Sequence, residues 1–329
     1  MIYADQRWVG NHGIGRFARE VLATLSFQPV PLTSHPAAAP DPLRLAWALK
    51  KLTSRDLFYS PGYSAPLFCA APYIFTIHDL NHIDRPENSS VSKRVYYATV
   101  LKRACHRAVR VLTVSDFTRS RIIEWAGVSP EKVLTIPCGV GPEFSPDVHL
   151  SSFPAPYMLC VSNRKGHKNE FRTVQAFAAA GLPAEMKLLF TGEPTAELSS
   201  HIESLGLISR VYFAGHIPES DLPSLYKSAV ALVFVSLYEG FGLPVVESMA
   251  CGTPVLTSNT SSLPEAAGGA ALLVDPMSVE QIAEGIRRLA SDDTLRETLR
   301  ERGLNRTRCL TWARTAEQVH QVITQFTPS

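Results

Sequence analysis

The sequence predicts an α/β protein built from two doubly wound parallel sheets, and three observations support that fold class. The chain has 329 residues, which is enough for about two domains. Hydrophobic residues make up 45% of it and charged residues 19%, as in proteins that fold around buried cores. Short β-branched and aromatic runs alternate with segments of helical period from end to end, which is the pattern of repeated βα units.

This alternation places six strands in each half of the chain. In the first half we expect strands at 1–5, 29–33, 56–60, 73–77, 110–115 and 132–137, and helices near 16–26, 43–53, 90–109 and 117–126. In the second half we expect strands at 157–162, 187–191, 210–214, 231–236, 254–258 and 271–274, with helices between them.

The domain boundary is indicated by residues 144–156, which are rich in proline and serine and follow neither period. We therefore expect an N-terminal domain over 1–150 and a C-terminal domain over 151–310. The segment near 311–329 has helical period and follows a break, so we expect a helix there that packs back on the first domain.

Composition excludes several classes of protein. With 32 Lys and Arg against 30 Asp and Glu, the net charge of +2 is too small for a protein that coats nucleic acid. The six cysteines form no C-x-x-C pair, so neither a disulfide framework nor a zinc site is indicated, and we expect a cytoplasmic protein. The longest apolar stretch, 229–237, is too short to span a bilayer, so membrane contact would be peripheral, at the inner face.

The first candidate ligand-binding motif is G-x-G-x-x-A. It begins at Gly13, its second glycine is Gly15, and it includes Arg16. Glycines between a strand and a helix allow a phosphate to approach the backbone. No acidic residue stands roughly 20 positions further on to bind a ribose, which disfavours a nicotinamide dinucleotide. A loop that contacts a ligand phosphate and a simple tight turn both remain open.

The second motif is His78-Asp79, directly after the apolar strand at 73–77. His82 stands four residues later, but a metal site would need a helix there, and 81–86 has the composition of a loop. Ligands bind at the carboxyl ends of strands in open α/β sheets. The sequence therefore favours a functional His78 over a metal ligand or a buried core histidine.

The third motif, at 162–169, collects cations before a helix. It contains Asn163, Arg164 and Lys168. Positive side chains at a helix N-terminus oppose the helix dipole unless an anion binds there, and phosphate is the natural anion. The alternative is a solvated basic loop.

The fourth motif, at 236–255, is the most informative. A strand ends near 236, glycines flank Phe241, and a helix is expected from about Leu243, so the amides of Phe241, Gly242 and Leu243 form an anion site. Glu239 precedes this site and Glu247 lies one helical turn after it. Carboxylates accept hydrogen bonds from sugar hydroxyls, so this order suits a sugar and a ribose on the two sides of a diphosphate. The alternative makes Glu239 a helix cap and Glu247 a surface residue.

These segments resemble the retaining GT-B glycosyltransferases of glycosyltransferase family 4. The resemblance is carried by the E-x7-E element with GFGLPVVE inside it and ACGTPV after it, and by NHGIGRF, TIHDL, TVSDFTRSRI, IPCGV, VSNRKGHKN and AGHIPESDL. It covers nearly the whole chain and is greatest for the subgroup that uses GDP-mannose. It implies two Rossmann-like domains facing across a cleft, the first binding the acceptor and the second the nucleotide-sugar donor.

The resemblance also implies a function and roles for the site residues. A hexose, expected to be mannose from GDP-mannose, would pass with retention to a saccharide or lipid-linked saccharide acceptor in surface polysaccharide synthesis. By this resemblance, Glu239, Phe241 and Gly242 would bind the donor sugar, Leu243 the diphosphate and Glu247 the ribose. Lys168 would neutralise the leaving phosphate, and His78 would lie near the reacting carbon. The loop Gly13 to Arg16 would close over the donor phosphate. Asn163 stands where many members have an arginine, and Arg164 is one position away.

Two further expectations concern metals and membranes. No D-x-D pair follows a strand, so we expect a metal-independent site without a cofactor. In the helix expected at 90–110, one face is predicted to carry Arg103, His106, Arg107 and Arg110, and the other Ala98, Leu101, Cys105 and Ala108. The basic face suits an anionic membrane or a lipid diphosphate, and a solvated basic face is the alternative.

Three alternative functions remain open. They are a UDP-sugar transferase, a GT-B epimerase or phosphorylase, and a non-catalytic nucleotide-sugar-binding module.

Overall fold

The computed structural model describes residues 1–36, 38, 40–153 and 156–327. It divides the chain into two compact units, Met1–Gly139 with Leu310–Ser329, and Val140–Cys309. The boundary expected at 150 is thus too late. Phe144 packs against the ring of Tyr226, at 6.0 Å between ring centroids, which attaches the segment after Val140 to the second unit. Residues 154–155 of the expected linker and 328–329 of the expected tail lie outside the described residues.

In the described part of the first unit, six parallel strands form one sheet in the order β2-β1-β3-β4-β5-β6. Their bounds are Ile2–Ala4 (β1), Gln28–Pro29 (β2), Leu57–Ser60 (β3), Tyr73–Ile77 (β4), Arg110–Thr113 (β5) and Val133–Thr135 (β6). β2 is shorter than the strand expected at 29–33, because Pro29 and Pro31 have no N–H to donate to the ladder. The order reverses between β1 and β3, so the carboxyl ends of these strands flank a topological switch point.

The helices described in residues 1–139 are Gly13–Leu22 (α1), Asp41–Ala48 (α2), Asn81–Asp84 (α3), Val91–Tyr96 (α4), Lys102–Arg107 (α5) and Asp116–Ala126 (α6). A π-helical turn at 97–101 joins α4 to α5, so the helix expected at 90–109 is continuous but changes phase. Ala98 is consequently exposed, whereas Leu101, Cys105 and Ala108 are buried as expected. Arg110 belongs to β5 and not to the helix.

The second unit contains six parallel strands in its described part, in the order β12-β11-β10-β7-β8-β9. Their bounds are Tyr157–Cys160 (β7), Lys187–Phe190 (β8), Val211–Phe213 (β9), Ala231–Phe234 (β10), Val255–Ser258 (β11) and Leu272–Val274 (β12). This is the strand order of a dinucleotide-binding Rossmann sheet, with the switch point between β7 and β10. Every residue of β7, β10 and β11 is buried, as in a sheet covered by helices on both faces.

The helices of the second unit are Glu170–Ala179 (α7), Ala196–Ser204 (α8), Leu222–Ser228 (α9), Leu243–Ala250 (α10), Leu263–Ala267 (α11), Val279–Ser291 (α12) and Asp293–Thr307 (α13). α12 packs directly on β11. A Cβ added at Gly285 would lie 2.5 Å from Leu256 Cδ1, so the helix surface must be free of a side chain there.

The last helix, Trp312–Thr324 (α14), belongs to the first unit and packs against α1. Thr315 Oγ1 donates a hydrogen bond to the carbonyl of Pro137, at 2.7 Å. A Cβ at Gly139 would lie 2.1 Å from the backbone nitrogen of Trp312, so only glycine allows this close approach. Within the described ranges, no helix has the length and apolar character that a membrane span requires.

Candidate active site

The switch point of the second sheet brings together the third and fourth sequence motifs. β7 leads into residues 161–169, and its neighbour β10 leads into residues 235–242. Both loops leave the carboxyl ends of adjacent parallel strands, where open α/β sheets bind ligands. The two motifs that are separated in sequence therefore form one site.

Lys168 and Glu239 meet at this point. Lys168 Nζ lies 2.6 Å from Glu239 Oε1, and both side chains are largely buried, with 13% and 15% of their surface exposed. The ammonium also lies 4.8 Å from the centre of the Phe234 ring. A short ion pair with little solvent around it is a strong charge-assisted hydrogen bond.

Asn169 holds the first loop against the second. Its backbone is left-handed, at φ 61°, and its buried side-chain amide donates to the carbonyls of Val235, at 3.0 Å, and Pro276, at 2.7 Å. Leu237 N donates to the carbonyl of His167, at 2.7 Å. The bonds at Val235 and Leu237 cross between the two loops on either side of Lys168, so the position of its side chain is fixed relative to β10, while the bond to Pro276 ties the first loop to the segment after β12.

Two serines fix the backbone around Glu239. Glu239 N donates to Ser261 Oγ, at 3.2 Å. Ser262 Oγ lies 2.9 Å from the carbonyl oxygens of both Glu239 and Phe241 and donates to them. The loop after β11 therefore supports the loop after β10.

The helix expected from about Leu243 begins at that residue, which confirms the prediction. Its cap is Gly242, with φ at 111°, and a Cβ there would lie 2.8 Å from Leu263 Cδ2. Both facts require glycine. The amides of the first helical turn have no acceptor within the helix, so residues 241–243 place N–H groups at the positive end of the helix dipole, an arrangement that can bind an anion.

Glu247 is buried in α10, with 4% of its surface exposed. Tyr226, on α9, donates its hydroxyl hydrogen to Glu247 Oε2, at 2.9 Å. The interpretation of Glu247 as a surface residue is therefore wrong. The carboxylate is held one helical turn from the amides of residues 241–243.

Arg164 is engaged within the protein. Its Nε donates to the carbonyl of Glu193, at 2.7 Å, and its two terminal nitrogens bond to Glu170 and to the carbonyl of Thr191. The guanidinium also lies about 5 Å from the ring centres of Phe190 and Phe213. All three of its nitrogens thus have protein partners, while Asn163 beside it is exposed.

His78 lies in the first unit, directly after β4, and only 7% of its surface is exposed. Its Nε2 lies 2.8 Å from the carbonyl of Pro61, and its ring packs edge-on against Phe17, at 4.9 Å between centroids. Burial lowers the pKa of His78 to about 4. A carbonyl only accepts, so Nε2 carries the proton of the neutral imidazole and Nδ1 is left as an acceptor.

The neighbourhood of His82 differs from the expected loop, because Asn81–Asp84 form one helical turn, α3. His82 Nδ1 lies 2.9 Å from the carbonyl of Asn88. Among the described residues, no group of three or more His, Cys, Asp and Glu side chains is placed to hold a metal ion.

The glycine motif begins α1 three residues earlier than expected, at Gly13. His12 Nδ1 accepts a hydrogen bond from Gly15 N, at 3.0 Å, and so caps the helix. A Cβ at Gly15 would lie 2.3 Å from the carbonyl oxygen of Gly10. Gly15 therefore serves close packing of the turn, and phosphate contact by Gly13 and Arg16 stays a prediction.

Sequence reasoning missed a buried charge cluster at the switch point of the first sheet. Arg7 donates to Asp5, at 2.8 Å, and to Asp41, at 2.5 Å, and neither carboxylate has more than 2% of its surface exposed. The cluster fixes the segment between β1 and α1. Asp5 and Asp41 are far apart in sequence, so no local pattern indicated their pairing, just as none indicated that of Tyr226 with Glu247.

Comparison with known proteins agrees with this architecture. A model described as Glycosyltransferase Family 4 matches residues 8–144, and one described as Glycosyl transferases group 1 matches residues 144–306. The crystal structure of Anabaena Alr3699/HepE in complex with UDP-glucose superimposes with a TM-score of 0.76 at 19% identity, over 98% of this chain and 99% of that one. That likeness shows the fold.

Two relatives found by sequence comparison have a higher sequence identity to this chain than that structure does. The O-antigen chain mannosyltransferase B of Escherichia coli is 30% identical over 316 residues, which are 92% of this chain and 80% of that protein. The serotype-specific mannosyltransferase WbdA of Escherichia coli is 30% identical over 240 residues, which are 67% of this chain and 29% of that longer protein. Two family models that together cover residues 8–306, and a relative matched over most of its length, show that the chain belongs to glycosyltransferase family 4 and has the GT-B fold.

Proposed function

We propose that this glycosyltransferase moves mannose from GDP-mannose, with retention of configuration, to a saccharide or lipid-linked saccharide acceptor in surface polysaccharide synthesis. The observation that carries the proposal is the Lys168–Glu239 pair beside the N-terminus of α10, at the switch point of a Rossmann sheet. It combines a cation, an anion site and a carboxylate, which are the groups that bind a nucleotide diphosphate sugar.

The diphosphate would be bound by the amides of residues 241–243 and by the Lys168 ammonium. As the bond to the anomeric carbon breaks, negative charge develops on the departing oxygen, and preorganised N–H groups and a nearby cation stabilise that charge. These groups belong to the chain itself. We therefore propose that the reaction needs no metal ion.

The two glutamates would bind hydroxyls on either side of the diphosphate. Glu239 is neutralised by Lys168 in the structure, and a bound diphosphate would share the ammonium while the carboxylate accepts hydrogen bonds from the sugar. Glu247 would accept them from the ribose, in the orientation that Tyr226 sets. We leave Arg164 out of this arrangement, because its nitrogens are bonded to Glu170 and to backbone carbonyls.

His78 would accept a hydrogen bond from a sugar hydroxyl through Nδ1. A group with a pKa of about 4 is a weak base at neutral pH, whereas efficient general bases have pKa values near the working pH. In the retaining reaction that we propose, the departing phosphate oxygen takes the proton of the attacking hydroxyl on the same face. That step requires no histidine base.

We propose mannose as the transferred sugar because the chain resembles two mannosyltransferases of Escherichia coli. A UDP-sugar transferase is the second candidate, because the HepE structure of the same fold was solved with UDP-glucose. We also propose that the enzyme works on the cytoplasmic face of the membrane, where a lipid-linked acceptor would be presented.

Thermal unfolding with equal concentrations of GDP, UDP and ADP separates the donor classes. A ligand at about 100 times its Kd stabilises the folded state by about 2.7 kcal/mol. We expect GDP to raise Tm most and GDP-mannose to be consumed when a mannose-terminated acceptor is added. A larger rise in Tm with UDP would indicate a UDP-sugar donor in place of GDP-mannose. Binding without turnover on any acceptor would favour the non-catalytic module.

A further inference from the structure

Arg164 and Glu170 close the loop that carries Lys168. Their side chains form an ion pair in which they are 12% and 9% exposed, and Lys168 stands between them in sequence. Gly166–Lys168 form a single 3₁₀ turn, and α7 begins at Glu170. The ion pair therefore ties the two ends of a short segment together. We call residues 164–170 the lysine loop.

The Glu170 carboxylate is held from several sides. Its Oε1 accepts hydrogen bonds from Ser162 Oγ and from a terminal nitrogen of Arg164. Ser162 Oγ in turn accepts from Arg164 N, at 3.3 Å. Glu170 also lies in the first turn of α7, where the positive end of the helix dipole favours a negative charge. These contacts hold the start of the helix against the end of β7.

The Arg164 guanidinium is bound on its other side by the end of β8. Its Nη2 donates to the carbonyl of Thr191 and, at 3.3 Å, to that of Gly192, and its Nε donates to the carbonyl of Glu193, at 2.7 Å. A guanidinium binds a phosphate through a planar fork of N–H groups. In this chain that fork is occupied by backbone carbonyls and by Glu170.

The backbone of the lysine loop is strained at both ends. Arg164 and Asn169 have left-handed conformations, with φ at 60° and 61°. This conformation is unfavourable for a residue with a Cβ, and it persists only where the surrounding contacts impose it. The two residues flank Lys168. The loop therefore keeps its shape only while the side chains at its ends stay bonded.

We infer that the Arg164–Glu170 pair positions Lys168 for the diphosphate and that Arg164 does not itself bind the phosphates. The inference rests on the proposed function, in which the Lys168 ammonium supplies the positive charge. Arg164 and Glu170 are positioning residues, which act through Lys168. When the pair is broken, the strained backbone relaxes and the ammonium leaves its place beside Glu239.

A double-mutant cycle measured by calorimetry with GDP tests the inference. Glu170→Gln has nearly the same shape as the parent but lacks the charge, and it should bind GDP about fivefold or more weakly. In the Lys168→Met background the same change should alter GDP affinity by less than about twofold, because no ammonium remains to be positioned. The matched control is Glu197→Gln, in the first turn of α8, where the side chain is exposed; it should bind GDP as the parent does.

Arg164→Lys separates positioning from direct binding. Lysine keeps the positive charge that attracts a phosphate but cannot form the forked bonds of a guanidinium. We expect Arg164→Lys to weaken GDP binding as much as Arg164→Gln does. If Arg164 bound the phosphates directly, loss of the charge of Glu170 would release the guanidinium, and Glu170→Gln would bind GDP more tightly.

Thermal unfolding without ligand and calorimetry with guanosine, on every variant, report folding and base binding separately. If an Arg164 variant or a combined variant does not fold, the direction of the change in Glu170→Gln still decides. Unchanged or tighter GDP binding by Glu170→Gln, an equal loss with and without Lys168, or parental affinity in Arg164→Lys would overturn the inference.

The proposed function fails in a different way. A parent that prefers UDP would change the donor proposed above but not the inference, and the cycle is then measured with UDP and uridine. A parent that binds no nucleoside diphosphate would overturn the proposed function and the inference with it.

Discussion

The Lys168 ammonium and the Glu239 carboxylate form one ion pair, 2.6 Å apart, between the two loops that flank the switch point of the second sheet. The cation that we propose for the diphosphate is thus paired with the carboxylate that we propose for the donor sugar. Removing either partner leaves the other charge largely buried without compensation, which typically costs about 3–5 kcal/mol of stability. Function and stability are therefore coupled at this pair, and tests of either residue need a measurement of folding.

Lys168→Met should weaken GDP binding at least tenfold and lower turnover, because the side chain provides the positive charge next to the helix N-terminus. The matched control is Lys165→Met, since Lys165 lies in the same loop but is exposed. Calorimetry with GDP and with guanosine checks this. We expect guanosine to bind both variants equally, and an equal loss of GDP affinity in both would remove Lys168 from the site.

The two glutamates should separate binding from turnover. Glu239→Gln should lower kcat far more than it weakens GDP binding, because we propose that this carboxylate binds the donor sugar. Glu247→Ala should weaken GDP binding itself by about tenfold or more, because the proposed acceptor of the ribose hydrogen bonds is lost. Calorimetry with bare GDP and steady-state kinetics on both variants measure the difference. Equal losses of nucleotide affinity would contradict the assignment.

The fold and the site differ in how far the sequence determines them. The described strands overlap the ranges expected from local periodicity, although β2 shares only Pro29 with its expected range, and the start of α10 follows from the glycines. Side-chain pairings between distant parts of the chain do not follow from local sequence. The contacts of Arg164 with the carbonyl of Thr191 and of Tyr226 with Glu247 depend on how loops and helices pack around a sheet, and the π turn at 97–101 leaves no local composition signal.

His78 makes stability depend on pH in a defined window. Its pKa is lowered to about 4 in the folded chain, while the unfolded value is about 6.5. Above the unfolded value both states are neutral. As pH falls from about 6.5 to about 4, the unfolded state takes up the proton first, so the free energy of unfolding decreases by about 3 kcal/mol.

Urea unfolding at pH 5 and pH 7, on the parent and on His78→Asn, isolates this contribution. The variant should show a smaller decrease in the free energy of unfolding between the two pH values. Turnover of the parent should be independent of pH near neutrality. A rate that follows a single titration near pH 6.5 would show that His78 acts as a base.

Activity should survive chelation. In the mechanism that we propose, the amides of residues 241–243 and the Lys168 ammonium supply the charge stabilisation that a metal ion provides in other transferases. Turnover measured after dialysis against EDTA should equal turnover with added Mg²⁺ or Mn²⁺. If activity is lost and either ion restores it, the proposed charge stabilisation is insufficient.

The linkage formed from GDP-mannose tests the central claim most directly. In that donor the mannose is α-linked, so retention at the site built on Lys168 and Glu239 yields an α-mannosyl product when a mannose-terminated acceptor is supplied. The one-bond carbon–hydrogen coupling at the anomeric centre distinguishes the two anomers by NMR. We predict the α anomer. A β-linked product, formed at a rate that follows the titration of one imidazole, would contradict the mechanism and the roles given to Glu239 and His78.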